Sequence, residues 1–106
     1  MPELCTERIH HPDPSSFELG RVLRTLGDPL RLAMVRLLSE EGELPSGEIY
    51  DRLGLPASTG SHHTKLLREA GITRTRAVGT QRLISLRRED LESCFPGLVE
   101  LIAGRS

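Results

Sequence analysis

Apolar residues recur at Leu19, Val22, Leu23 and Leu26, the i, i+3, i+4, i+7 spacing of a helix with one apolar face, and Gly27 stops it. Asp28-Pro29 then predicts a new helix start, because the Asp28 carboxylate can accept from free amides and Pro29 sits where no amide is needed. Leu30, Ala33, Met34, Leu37 and Leu38 repeat the helical spacing to about Glu41, and Gly42 ends it. A shorter helix is predicted from about Ser46 to Leu53, with Ile49, Tyr50 and Leu53 as its apolar side and Gly54 as its stop.

The stretch 54–71, GLPASTGSHHTKLLREAG, departs from this pattern. It reads as a tight turn and then a helix whose first half is polar and whose second half carries the apolar residues, ended by Gly71. Two helices joined this closely, with glycine in the turn, make a helix-turn-helix. A helix presenting Ser58, Thr59, Ser61, His62 and Lys65 near its start is poorly suited to a core. It suits insertion into the major groove of DNA, where short hydroxyls and imidazoles reach base edges and phosphates. Simple capping is the alternative for Ser58 and Thr59, and His63, further into the helix, can pack inward.

Beyond Gly71 the period changes to two. Ile72 to Ala77 alternates Thr and Arg, Val78-Gly79-Thr80 turns, and Gln81 to Arg87 alternates again, which predicts a β-hairpin. An arginine-bearing hairpin straight after a helix-turn-helix is a wing. Residues 90–102 are helical in content but broken by Phe95-Pro96-Gly97, so one helical turn near 88–93 and a short apolar helix with Leu98, Leu101 and Ile102 are expected. The predicted fold is mostly α with a small β-hairpin, a winged helix-turn-helix of order α-α-α-α-β-β-α over residues 17–103. Residues 1–16, with three prolines, read as a mobile or extended arm.

Charge sharpens the functional reading. The 106-residue chain carries a net charge of −1, yet Ser58 to Arg88 holds seven bases and one acid, +6, leaving −7 for the remainder. Such asymmetry fits a basic DNA-facing surface on an acidic body better than a solvated face, which mixes signs. A hydrophobic content of 37% places the chain among globular domains of one-domain length. Apolar runs of three or four residues exclude a spanning helix. The start, Met1-Pro2-Glu3-Leu4, has no secretion-signal pattern, so a cytoplasmic location and two free thiols, Cys5 and Cys94, are expected. No glycine-rich phosphate loop, no nucleophile with a base and too few clustered acids argue against an enzyme.

With these pieces in order, the chain resembles the arsenic-repressor (ArsR) family of bacterial winged-helix regulators. The resemblance covers about residues 17–102 and rests on LGDPLRLAMVRLL (26–38), the SHHxKLLREAGI pattern (61–72) and the hairpin TRAVGTQRLISL (75–86). It implies a homodimer in which the first and last helices pair across a two-fold axis. Two recognition helices then enter successive major grooves of a pseudo-palindromic double-stranded operator. The direct contacts implied are at Ala57, Ser58, Ser61 and His62, with the wing arginines Arg76 and Arg82 on phosphates.

Two metal sites of that family are absent: its Cys-x-Cys positions are Pro45 and Gly47, and Asp90-Leu91-Glu92 is followed by no histidine. What remains is an N-terminal cluster, Cys5, Glu7, His10, His11 and Asp13, whose donors suit a borderline ion such as nickel or zinc. The helix pair also departs from the family's small-against-branched packing, since Tyr50 faces Gly60 and Thr64 stands where Leu or Phe is usual. The expectation is a volume swap, with the Tyr50 ring over Gly60. The reading is therefore a dimeric sequence-specific transcription regulator, open to metal control. Its rival is a winged-helix module that grips a partner protein; an accessory protein, the operator and the effector carry no signal in the chain.

Overall fold

A computed structural model describes residues 9–104. Four helices come first: α1 (Leu19–Leu26), α2 (Pro29–Glu41), α3 (Ser46–Leu53) and α4 (Ala57–Glu69). Between α2 and α3 lies a two-residue strand, β1 (Leu44–Pro45). The hairpin follows as β2 (Thr73–Val78) and β3 (Gln81–Leu86), and the described chain closes with α5 (Arg88–Cys94) and α6 (Leu98–Ile102). The mostly helical winged architecture is the expected one, with two elements added. β1 turns the hairpin into a three-stranded antiparallel sheet of order β1-β3-β2, and the terminal segment is two helices where the expected order had one.

The α2 start is built as the sequence implied. Asp28 Oδ1 accepts from the amides of Leu30 at 2.8 Å and Arg31 at 3.2 Å. The core gathers Val22 and Leu26 of α1, Met34, Val35 and Leu38 of α2, Ile49 and Tyr50 of α3, Leu67 of α4, Ile84 of β3 and Leu91, Val99 and Ile102 behind them. The predicted apolar face of α1 is only half used: Val22 and Leu26 are buried, whereas Leu19 and Leu23 remain 48% and 49% exposed. Leu101 on α6, expected in the apolar face, is 72% exposed. The described residues of one protomer thus leave part of both end helices uncovered.

Gly54, at φ 68°, ends α3 in the left-handed conformation, and the Leu55 amide bonds back to the Tyr50 carbonyl at 2.9 Å. This turn sends α4 across α3 at the point where Gly60 meets Tyr50. A Cβ on Gly60 would lie 2.3 Å from Tyr50 Cδ1, so the ring occupies the space that any other residue would need. The expected exchange of large and small is therefore present. Thr64, one turn further on, is explained by the same ring: the Tyr50 hydroxyl and Thr64 Oγ1 are 3.2 Å apart, and both side chains are buried. A Leu or Phe at 64 would leave the phenol without that partner.

Residues 9–16 of the expected arm lie against the body; residues 1–8 of it fall outside the described residues. β2 is an edge strand, and the His11 Nε2 accepts a hydrogen bond from the Thr75 amide at 3.0 Å on that edge. The Arg87 guanidinium, only 6% exposed, donates to the Pro12 carbonyl at 2.8 Å, pairs with Asp90 at 2.9 Å and lies 5.0 Å from the centre of the Phe17 ring. Phe17 in turn presses on Gly71, where a Cβ would come within 2.2 Å of the ring and φ is +87°. Burial, and then the charges of Arg87, Arg68 and Arg74, hold the His11 pKa below its ordinary 6.5.

Two predictions follow from this packing. The unfolded chain protonates His11 more readily than the folded chain does, so its contribution to stability is whole above about pH 6.5 and is lost as the pH falls from there towards the folded-state pKa. Calorimetric melting from pH 7.5 to 5.5 is expected to show a steeper loss of Tm in the wild type than in His11→Gln, whose side-chain oxygen accepts from Thr75 without titrating. Parallel curves would remove His11 from the account. Separately, Gly60→Ala, which in an open helix would add about 1 kcal/mol, is expected to destabilise by about 1–3 kcal/mol through overpacking against Tyr50. Urea unfolding of Gly60→Ala alone and together with Tyr50→Val measures this, the double variant recovering most of the loss.

Candidate nucleic-acid interface

Helix α4 divides cleanly between a face turned inward and a face turned out. Gly60, His63, Thr64 and Leu67 are buried, while Ala57, Ser58, Thr59, Ser61, His62 and Lys65 are exposed. The buried set follows i, i+3, i+4, i+7, so packing alone dictates which side chains remain outside. The N-cap is Pro56 and makes no side-chain cap. Ser58 and Thr59 lie inside the first turn, so N-capping does not account for them. His62 lies on the exposed side with its ring centre 5.7 Å from that of His63.

His63 packs inward, as its place in the helix allowed. Its Nδ1 lies 3.2 Å from Nη1 of Arg31, whose Nε also donates to the Thr25 carbonyl at 2.7 Å. A guanidinium has no acceptor, so this contact requires an unprotonated Nδ1 and leaves any proton on Nε2. Arg31 thereby ties the end of α1, the start of α2 and the middle of α4 together. Nothing in the sequence marked this role, because an arginine in the first turn of an amphipathic helix looks like a solvated charge.

The two wing arginines occupy different faces. Arg82 stands opposite Ala77 and Arg76 opposite Leu83 in the β2–β3 register, so they project to opposite sides of the sheet. Arg76 forms a two-pronged ion pair with Glu43, both contacts at 2.8 Å, which holds the Glu43 carboxyl below the usual carboxylate range. Arg82 is on the side facing α4. There, with Tyr50, Thr64, Lys65, Arg68 and Thr75, it lines a cleft of about 400 Å³ between the helix pair and the wing. The basic excess of residues 58–88 is thus partly neutralised within the fold: Arg76 is paired with Glu43, and Arg74 and Arg87 share Asp90 at 3.6 and 2.9 Å. Lys65, Arg68 and Arg82 are the bases that gather between helix and wing.

The described candidate metal donors, His10, His11 and Asp13, are not brought together. Among the described residues no three His, Cys, Asp or Glu side chains converge. His11 spends Nε2 on Thr75, Asp13 accepts from the Ser15 amide at 2.9 Å to start a 3₁₀ turn at Pro14–Ser16, and His10 is exposed. Cys5 and Glu7 fall outside the described residues. Cys94 is half-buried, with its thiol 3.6 Å from the Pro14 carbonyl.

Residues 26–76 match the family described as a helix-turn-helix domain. The chain is 36% identical over 84 residues to the HTH-type transcriptional regulator YceK of Bacillus subtilis, covering 78% of this chain and 84% of that one. It is 35% identical over 75 residues to an arsenical resistance operon repressor of Staphylococcus xylosus, covering 71% of each. In three dimensions it superposes on the homodimeric winged helix-turn-helix DNA-binding domain of a possible ArsR-family regulator from Mycobacterium bovis. That match has a TM-score of 0.68 and 28% identity over 81% of this chain and 78% of the other. The matched segment, the packed helix pair with its polar outer face, and the wing agree, and the chain belongs to the ArsR-type family of winged helix-turn-helix DNA-binding transcriptional regulators.

Proposed function

We propose that this regulator binds a pseudo-palindromic operator as a homodimer, reading bases with the exposed start of α4 and holding the backbone with the wing. The observation that carries this reading is the outward face of α4, where Ser58, Thr59, Ser61, His62 and Lys65 are exposed while the opposite face is buried. Hydroxyl and imidazole groups at a helix N-terminus reach base edges when that end enters the major groove. Ala57 leaves room for close approach. Lys65 and Arg82, at the mouth of the cleft between helix and wing, then meet phosphates and fix register. Arg76, held by Glu43 on the other face of the sheet, has to exchange that partner for a phosphate if it takes part.

The dimer reading rests on Leu19, Leu23 and Leu101. These are exposed on α1 and α6, two helices that both pack on α2. Pairing across a two-fold would cover them and double the number of recognition helices. No helix among the described residues is long and apolar enough to cross a membrane, and a regulator of this kind works in the cytoplasm with its DNA. Among the described residues no three of the arm's candidate donors converge, so nickel or zinc carries no part of this reading.

Selection from a random duplex pool is expected to enrich inverted repeats with half-sites about one helical turn, roughly 34–36 Å, apart. His62→Ala or Ser61→Ala then lowers the preference for the selected site over random DNA, by about tenfold for a lost base contact. Arg82→Ala weakens both about equally and reduces the salt slope by about one. Absence of any enriched sequence, together with salt-insensitive capture of a protein, would favour the protein-interaction module instead. In light scattering, Leu23→Glu with Leu101→Glu is expected to halve the mass; an unchanged dimer would place the interface elsewhere.

A further inference from the structure

The cleft between α3, α4 and the wing has features that base reading does not require. Its lining brings together Lys65, Arg68 and Arg82 with the hydroxyl-bearing Tyr50, Thr64 and Thr75, and no carboxylate of the described residues lines it. Arg68 is only half-buried as a residue, but its Nε–H is shut off from solvent without a hydrogen-bond partner among the described residues. Guanidinium, ammonium and hydroxyl donors converging on one concave space, with no carboxylate among its described lining residues, match the chemistry of an oxyanion. The volume, about 400 Å³, exceeds what one phosphate group needs and leaves room for what the phosphate is attached to. Arg68 lies eleven residues along α4 from Ala57, about 16 Å at a helical rise of 1.5 Å per residue. A helix that enters the groove by its N-terminal end leaves that position well behind the base edges, since the major groove is about 8.5 Å deep.

We propose that this cleft is a phosphate-binding site anchored by Arg68 and Lys65, able to hold a phosphate group from a small phosphorylated molecule or from the DNA backbone. The phosphate oxygens accept from the two cations and from the hydroxyl of Thr75, with Arg82 at the wing side of the same space. Because the cleft lies between the recognition helix and the wing, a free phosphorylated ligand there competes with the duplex and provides an effector site. This regulatory consequence rests on the DNA-binding reading; binding of phosphate itself does not.

Tyr50 supplies the measurement, since the chain has one tyrosine and no tryptophan and that tyrosine lines the cleft. In the first arm, without DNA, the full chain is titrated with sodium phosphate against sodium chloride at matched ionic strength, following tyrosine fluorescence. A saturable change with phosphate alone is expected, weakened at least tenfold in Arg68→Gln and in Lys65→Gln, with melting curves checking that both variants fold. In the second arm, the same phosphate series and the same variants are applied to the protein bound to its selected duplex. Displacement by phosphate beyond the chloride control identifies a free ligand as the source. Loss of duplex affinity in Arg68→Gln, with a salt slope lower by about one, identifies the backbone. A flat first arm together with wild-type duplex binding by Arg68→Gln overturns the proposal, whatever Lys65→Gln does to the duplex. A saturable first arm with no duplex binding would instead reject only the DNA-binding reading.

Discussion

The contact between the Tyr50 ring and the bare backbone of Gly60 sets the distance between the two helices of the DNA-binding unit, and with it the position of everything α4 presents. Glycine inside a helix costs about 1 kcal/mol relative to alanine because more backbone freedom is lost and no side chain is buried. Here the loss is offset by burial of an aromatic ring whose hydroxyl finds Thr64. Once Gly60, Thr64 and Leu67 must face inward, the helical period leaves Ser58, Thr59, Ser61, His62 and Lys65 nowhere to point but outward. The chemistry of the outer face is therefore positioned by a steric fit on the inner one.

Electrostatics divides the arginines in a way that a count of charges conceals. Arg87 is an interior strut, compensated by Asp90, by the Pro12 carbonyl and by the face of Phe17. Arg31 is a second strut, holding His63 and the α1–α2 corner. Arg76 is clamped by Glu43, an acid from outside the basic segment. Between α4 and the wing, a smaller group of cations lies around a concave, hydroxyl-lined space. Exposed ion pairs such as Arg76–Glu43 contribute little stability and exchange partners at low cost, whereas a buried guanidinium such as Arg87 is held in place.

Helices α1, α2 and α3 were legible because each carries a 3.6-residue apolar repeat and a glycine or Asp-Pro boundary, α4 because a close glycine turn precedes it and Gly71 follows, and the hairpin because its period is two around Gly79. β1 was not legible: two residues cannot display an alternation, and Pro45, which has no amide to donate, argues against a strand unless it lies on an edge. The leucines of α1 and α6 announced an apolar face, but periodicity says only that a face is apolar and not which molecule covers it. Arg31, Arg68 and Arg87 escaped notice for a common reason. A buried or half-buried arginine is identified by what surrounds it, and those surroundings come from residues as far off in sequence as His63, Tyr50 and Pro12. The Tyr50–Gly60 exchange was readable only because helix-turn-helix geometry already paired those two positions.

Pro45 is both the last residue of β1 and the N-cap of α3, so no linker separates the sheet from the first helix of the DNA-binding pair. β1 is joined to β3 through Leu44–Ile84 and Pro45–Leu83, and α3 is joined to α4 through the tyrosine ring. The wing and the recognition helix are thus the two arms of one lever, with β1 and α3 as its fulcrum. A displacement of the hairpin therefore has a direct route to the helix, through the β1–β3 pairing, Pro45 and the tyrosine ring, with no linker in between. Tilting one arm by a few degrees would change the spacing between wing and helix only slightly, but it would swing the start of α4 relative to the rest of the protomer.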